Sequence, residues 1–134
     1  MDRVFLDANV LVSAALKPDS RLRVLWELDD IRLLASPHVV EEARRNVREP
    51  AAGERLESLL TAVAVLPSEP ADHPIEGEPE LPPKDRPVLL GALAAGAGIL
   101  LTGDMAHFAR LMGRETAGVR VLLPGAYLRE REIR

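Results

Sequence analysis

The sequence predicts a three-layer α/β/α fold around a five-stranded parallel sheet. Three observations point to it. Short apolar runs alternate with stretches of helical period, the pattern of a parallel sheet covered on both faces. The chain has 134 residues, 47% of them apolar, which is one ordinary domain with a real core. Asp7 and Asp104 close the first and fourth apolar runs, and open α/β sheets form their sites beyond the carboxyl ends of strands.

The elements follow in order. Residues 3–6 read as a strand and 9–16 as a helix, which Lys17-Pro18-Asp19 breaks. Ser20 is placed to cap a second helix reaching residue 28. Residues 31–35 form a strand, and Ser36-Pro37 then opens a helix with an N-cap followed by proline at its first position. That helix ends near Arg48, because Pro50 disfavours helical geometry in the residue before it. Residues 51–62 give a fourth helix and 63–66 a third strand. The span 67–83 is dense in proline and acid and reads as an extended loop, long for a compact domain. A buried helix covers 86–97, a fourth strand 99–102, a helix 105–112 and a fifth strand 119–122. A short helix follows Pro124. No internal repeat is visible.

Composition excludes several classes. With no cysteine there are no disulfides, thiolate zinc sites or cysteine nucleophiles, and the chain fits a reducing cytoplasm, its expected location. The net charge of −4 carries no global basic signature of nucleic-acid binding, but a cluster of site acids would itself lower it. Lys17 and Lys84 are the only lysines; arginine, whose planar fork grips phosphate, supplies the other cations. The N-terminus lacks signal-peptide form. The longest apolar stretch, 88–101, contains three glycines and is shorter than the ~20 residues of a membrane span.

Four acids carry the functional reading. Asp7 precedes a helix; as a lone Asp it reads as an N-cap, but Asn9 is placed to cap in its stead and leave Asp7 free. Glu42 flanks the stripe Val39, Val40, Ala43 and Val47, near Asn46 one turn later, whereas Glu41 points away and stands as the fallback. The bland alternative for Glu42 is an ion pair with Arg45. Asp85 opens the buried helix, where the macrodipole favours an anion, and Pro82-Pro83 stiffens its approach. Asp104 follows Thr102-Gly103 at a strand-to-helix turn, where Thr102 is placed to orient a carboxylate. Carboxylates brought to one crevice repel each other and call for divalent cations between them, so the leading expectation is a metal-dependent nuclease.

The motifs resemble those of PIN domains, including the VapC-type toxins of bacterial toxin–antitoxin pairs. Val4-Phe5-Leu6-Asp7-Ala8-Asn9-Val10-Leu11-Val12-Ser13 is similar to the family's first motif and Ser36-Pro37-His38-Val39-Val40-Glu41-Glu42 to the second. Lys84-Asp85-Arg86-Pro87-Val88-Leu89-Leu90-Gly91-Ala92-Leu93 and Leu101-Thr102-Gly103-Asp104 resemble the third and fourth. His107-Phe108 and Val121-Leu122-Leu123-Pro124 look typical of a toxin-like branch. The ordered set, rather than any one motif, is specific.

The resemblance implies a single PIN-like nuclease domain over residues 1–134 that cleaves RNA with Mg²⁺ or Mn²⁺ held by Asp7, Glu42, Asp85 and Asp104. It also implies homodimerisation through the first helices, with apolar surface from Leu22, Leu25, Trp26 and Leu28, and, for a toxin, an antitoxin protein as partner. The chain departs from many relatives at Ala106-His107-Phe108, where they carry a further acid.

Around these acids, Asn9 and Thr102 are the supporting residues. Arg86, beside Asp85, is the best-placed phosphate contact. Arg44, Arg45 and Arg48 lie on the exposed side of their helix, as RNA-backbone contacts or as a solvated face. His107 reads as a phosphate contact or proton shuttle, or as a structural histidine. Two rival classes stand beside the nuclease. A phosphoacceptor switch needs an Asp after the third strand and a Lys after the fifth, and the chain offers neither. A PIN-fold scaffold that binds protein without turnover remains the alternative.

Overall fold

The computed structural model of the chain describes residues 1–78, 80–104 and 108–133. Its strands are β1 (Asp2–Leu6), β2 (Ile31–Ala35), β3 (Ala64–Val65), β4 (Ile99–Leu101), β5 (Glu115–Thr116) and β6 (Val119–Leu122). They form one sheet in the order β3-β2-β1-β4-β6-β5, parallel throughout except for the antiparallel pair β5–β6. The helices are α1 (Ala8–Leu16), α2 (Pro37–Asn46), α3 (Pro50–Leu60), α4 (Arg86–Ala94) and α5 (Pro124–Ile133). The architecture is the predicted three-layer α/β/α sandwich, with one strand more than expected.

The additional strand comes from a tight hairpin. Thr116 pairs with Val119, leaving Ala117 and Gly118 as a two-residue turn with φ of 51° and 87°. Positive φ at both positions is the conformation that matches the strands' right-handed twist, and it is unusual for alanine.

Strand ends and helix starts follow local chemistry. Ser36 caps α2, its Oγ accepting from Val39 N at 3.3 Å, with Pro37 in the first turn. Pro50 itself begins α3, one residue before the predicted start, since a helix's first N–H needs no partner. The helix α4 ends earlier than expected, in a left-handed cap at Gly96 (φ 67°), with Gly96 N donating to Leu93 O and Ala97 N to Ala92 O. The guanidinium of Arg3 completes this cap, donating to Ala95 O at 2.7 Å and Gly96 O at 3.2 Å.

Two predicted helices differ. Residues Arg21–Glu27 form a 3₁₀ segment, and the side chain of Ser20 makes no capping hydrogen bond. Leu22, Leu25 and Leu28 recur every third residue, the period at which 3₁₀ side chains align. Leu25 is fully buried, while Trp26 is half-buried and donates its indole N–H to Leu59 O at 2.9 Å. The predicted helix 105–112 falls partly outside the described residues; Ala109–Leu111 is a 3₁₀ turn.

The core is a continuous cluster of Val, Leu and Ala around Phe5, Phe108 and Tyr127. α1 packs on α2 and α3, while α4 lies against β2 and β4. Gly91 lets α4 come close: a Cβ there would stand 2.8 Å from Phe5 Cζ. Because β1 has β2 on one side and β4 on the other, the strand order reverses between β1 and β4. That reversal opens a crevice at the carboxyl ends of both strands.

Candidate functional site

The crevice between β1 and β4 is a cavity of ≈ 270 Å³ lined by Asp7, Asn9, Glu42, Lys84, Asp85 and Asp104, with Val12, Ser13, Asn46 and Val88. Four separate segments thus bring the four acids to one place. Asp7 is at the end of β1, Glu42 on α2, Asp85 at the start of α4 and Asp104 past the end of β4.

Asp7 is held on several sides. Its Oδ1 accepts from Ala8 N at 2.8 Å and caps α1, so Asp7 itself does the capping that the sequence allowed to Asn9. Its Oδ2 accepts from the Thr102 hydroxyl at 2.8 Å and from Asn9 Nδ2 at 3.4 Å. Asn9 turns the other way and ties the two strand ends together, its Oδ1 accepting from Gly103 N at 2.8 Å. The Thr102 oxygen also accepts from Asp104 N at 3.1 Å, and the side chain is wholly buried. Thr102 and Asn9 thus hold the Asp7 carboxylate and the adjoining strand ends by hydrogen bonds.

Burial pushes the Asp7 carboxyl above its ordinary 3.8; hydrogen bonds from Thr102 and Ala8 pull it down, and the negative charges of Glu42 and Asp85 raise it again. Asp85 is buried and makes no side-chain cap to α4, despite standing at its N-cap position. Glu42 is half-buried and lines the cavity one turn before Asn46, while Glu41 is exposed.

The predicted substrate contacts are placed differently. Arg86 does not line the cavity. Its guanidinium is bound to Asp72 and Glu78, and it donates to His73 O at 2.7 Å, fastening the proline-rich loop to α4. Arg45 is exposed on α2 and also lies outside the cavity lining. Its neighbour Arg44 forms a two-point pair with Glu57 of α3 at 2.8 and 3.0 Å. His107 lies outside the described residues.

Sequence reasoning missed Lys84, Ser13, Val12 and Val88 as lining residues. Asn9, Val12 and Ser13 share one helical face at spacings of three and four, a signal that was available. Lys84 had only its place beside Asp85.

The donor set is all hard oxygen, which suits Mg²⁺ or Mn²⁺, and like-charge pressure on Asp7 is what a cation would relieve. In the present arrangement the carboxylates ring the cavity. Among the described residues no three His, Asp or Glu side chains close on one point to hold an ion. Among the described residues, too, no helix is long and apolar enough to cross a membrane.

Solved structures share this fold at low identity. VapBC2 from Rickettsia felis, bound to a DNA fragment from its promoter, superposes with a TM-score of 0.64 at 18% identity, over 89% of this chain and 96% of that one. VapC20 of Mycobacterium tuberculosis, described as a Sarcin-Ricin loop cleaving toxin, gives 0.56 at 17%, over 80% and 94%. VapBC-1 from nontypeable Haemophilus influenzae gives 0.55 at 18%, over 92% and 98%. No curated protein matches the chain significantly. A family model described as PIN domain matches residues 3–106, a span that takes in all four acids and the strand reversal between them. With that match over most of its length, the chain belongs to the PIN domain family.

Proposed function

We propose that residues 1–134 act as a single nuclease domain that hydrolyses RNA phosphodiester bonds with a divalent cation, as the toxin of a toxin–antitoxin pair. The observation that carries this reading is the meeting of Asp7, Glu42, Asp85 and Asp104 in one cavity at the strand reversal of a PIN fold. Those four acids would hold Mg²⁺ or Mn²⁺. When bound, the cation supplies Lewis-acid polarisation for in-line hydrolysis of a phosphodiester.

The chain's own residues set the stage. Thr102 and Asn9 fix Asp7 by hydrogen bonds, and the backbone of β4 fixes β1 through Asp7 N donating to Leu101 O at 3.0 Å. Asn46 and Ser13 add uncharged polar groups to the cavity wall. The VapBC complexes that share this fold support an antitoxin protein as partner, and a second copy of this chain is proposed from the PIN resemblance alone.

The deciding experiment is cleavage of single-stranded RNA with Mn²⁺, with and without EDTA, by wild type and Asp7→Asn. Metal-dependent cleavage that vanishes in the variant supports the nuclease. Absence of cleavage by the folded wild-type protein favours the protein-binding scaffold.

A further inference from the structure

We propose that Lys84 is the residue of this chain that binds the substrate phosphate. The inference rests on the nuclease reading above and names the contact through which RNA enters that cavity. Among the described residues lining the cavity, Lys84 is the one cation, set among four carboxylates. Its side chain is exposed and makes no ion pair among the described residues.

Seven of the arginines contrast with it. Arg44 is spent on Glu57, Arg86 on Asp72 and Glu78, Arg110 on Glu80, Arg120 on Glu130, and Arg131 on Asp2 and Asp30. Arg3 and Arg55 are spent on helix C-terminal carbonyls, of α4 and α1 respectively. Each of these forks is already filled from within the protein.

A phosphodiester brought to four carboxylates meets a repulsive field, and a cation at the rim is needed to admit it. An ammonium suits the task as a compact charge on a flexible stem, able to follow the backbone without a fixed bidentate geometry. Pro82-Pro83 immediately before Lys84, and the start of α4 two residues after it, limit how far its Cα moves.

The test is binding of a short fluorescein-labelled single-stranded RNA, followed by anisotropy in EDTA and again with Ca²⁺, for wild type, Lys84→Ala and Lys84→Arg. Lys84→Ala weakens binding about tenfold and lowers the salt slope by roughly 0.7, one phosphate contact on a single strand. Lys84→Arg, which keeps the charge, retains most of the affinity. Binding by Lys84→Ala within twofold of wild type, with an unchanged slope, overturns the proposal. Mn²⁺-dependent cleavage by wild type, lost in Asp7→Asn, is read in parallel: if it persists while Lys84→Ala binds normally, only the Lys84 assignment falls. If wild type neither cleaves nor binds RNA, both readings fall together.

Discussion

The Thr102 hydroxyl donates to Asp7 Oδ2 at 2.8 Å while its oxygen accepts from Asp104 N at 3.1 Å. One buried side chain thus joins the ends of β1 and β4 and touches two of the four acids. Thr102→Val, nearly isosteric, withdraws that partner from both and is expected to cost about 1–3 kcal/mol in chemical denaturation. It also removes the hydrogen bond that holds the Asp7 carboxyl down, so, on the proposed nuclease reading, the acid limb of the pH–rate profile for RNA cleavage is expected to move to higher pH. A profile that stays in place would show that Thr102 does not act through Asp7.

Gly91 and Phe5 set the spacing between α4 and the sheet. A Cβ at Gly91 would lie 2.8 Å from Phe5 Cζ and 3.3 Å from Ser36 Cβ, and the Phe5 ring is fully buried and has little room to swing away. Gly91→Ala is therefore expected to destabilise by roughly 1–3 kcal/mol. Phe5→Leu in the same chain should recover part of the loss, a double-mutant coupling measurable by urea unfolding.

Arg86 fastens the loop that leads into Asp85. With its contacts to Asp72, Glu78 and His73 O removed, Arg86→Ala should raise hydrogen exchange at residues 72–78 while the amides of β1 and β4 stay protected. Unchanged exchange in the loop would mean that Ile75, packed on Leu89 and Leu90, is anchor enough.

Tyr127 binds α5 to the first strand, its hydroxyl donating to Asp2 Oδ2 at 2.7 Å beneath the guanidinium of Arg131. Burial, followed by the Asp2 carboxylate, raises the phenol above its ordinary 10.0. A group raised in the folded state stabilises fully below its unfolded value, and that contribution is lost as pH climbs from there toward the folded value. The melting temperature should accordingly fall above about pH 10, the unperturbed phenol value. Tyr127→Phe, which has no phenol to ionise, should show a flatter decline; an identical decline would assign the alkaline loss to other groups.

Much of this molecule was legible because its signals are local. Ser36-Pro37 announced α2 with a cap and a first-turn proline, and both act within four residues. Glu42 was separable from Glu41 by helical phase alone. The acids at the ends of β1 and β4 could be placed at one rim because a parallel sheet puts all carboxyl ends on the same side. The hairpin of β5 and β6 was not legible, since Ala117-Gly118 lacks the Asn-Gly or Asp-Gly signature of its turn. The segment 21–27 was misread because a three-residue leucine spacing fits the first turns of either helix type.

The primary structure by itself determined the layered α/β class and the five parallel strands, and it pointed to the four acids that line one cavity, since alternation, capping and strand-end polarity are properties of short windows. Tertiary structure alone decided which of the described cations lines that cavity. Arg86 and Lys84 flank Asp85 and Arg86 was the favoured phosphate contact on the sequence, yet Asp72 and Glu78 come back along a folded loop to engage Arg86, and Lys84 lines the cavity. A side chain's allegiance is set by the partners the fold delivers to it, and those partners are distant in the chain.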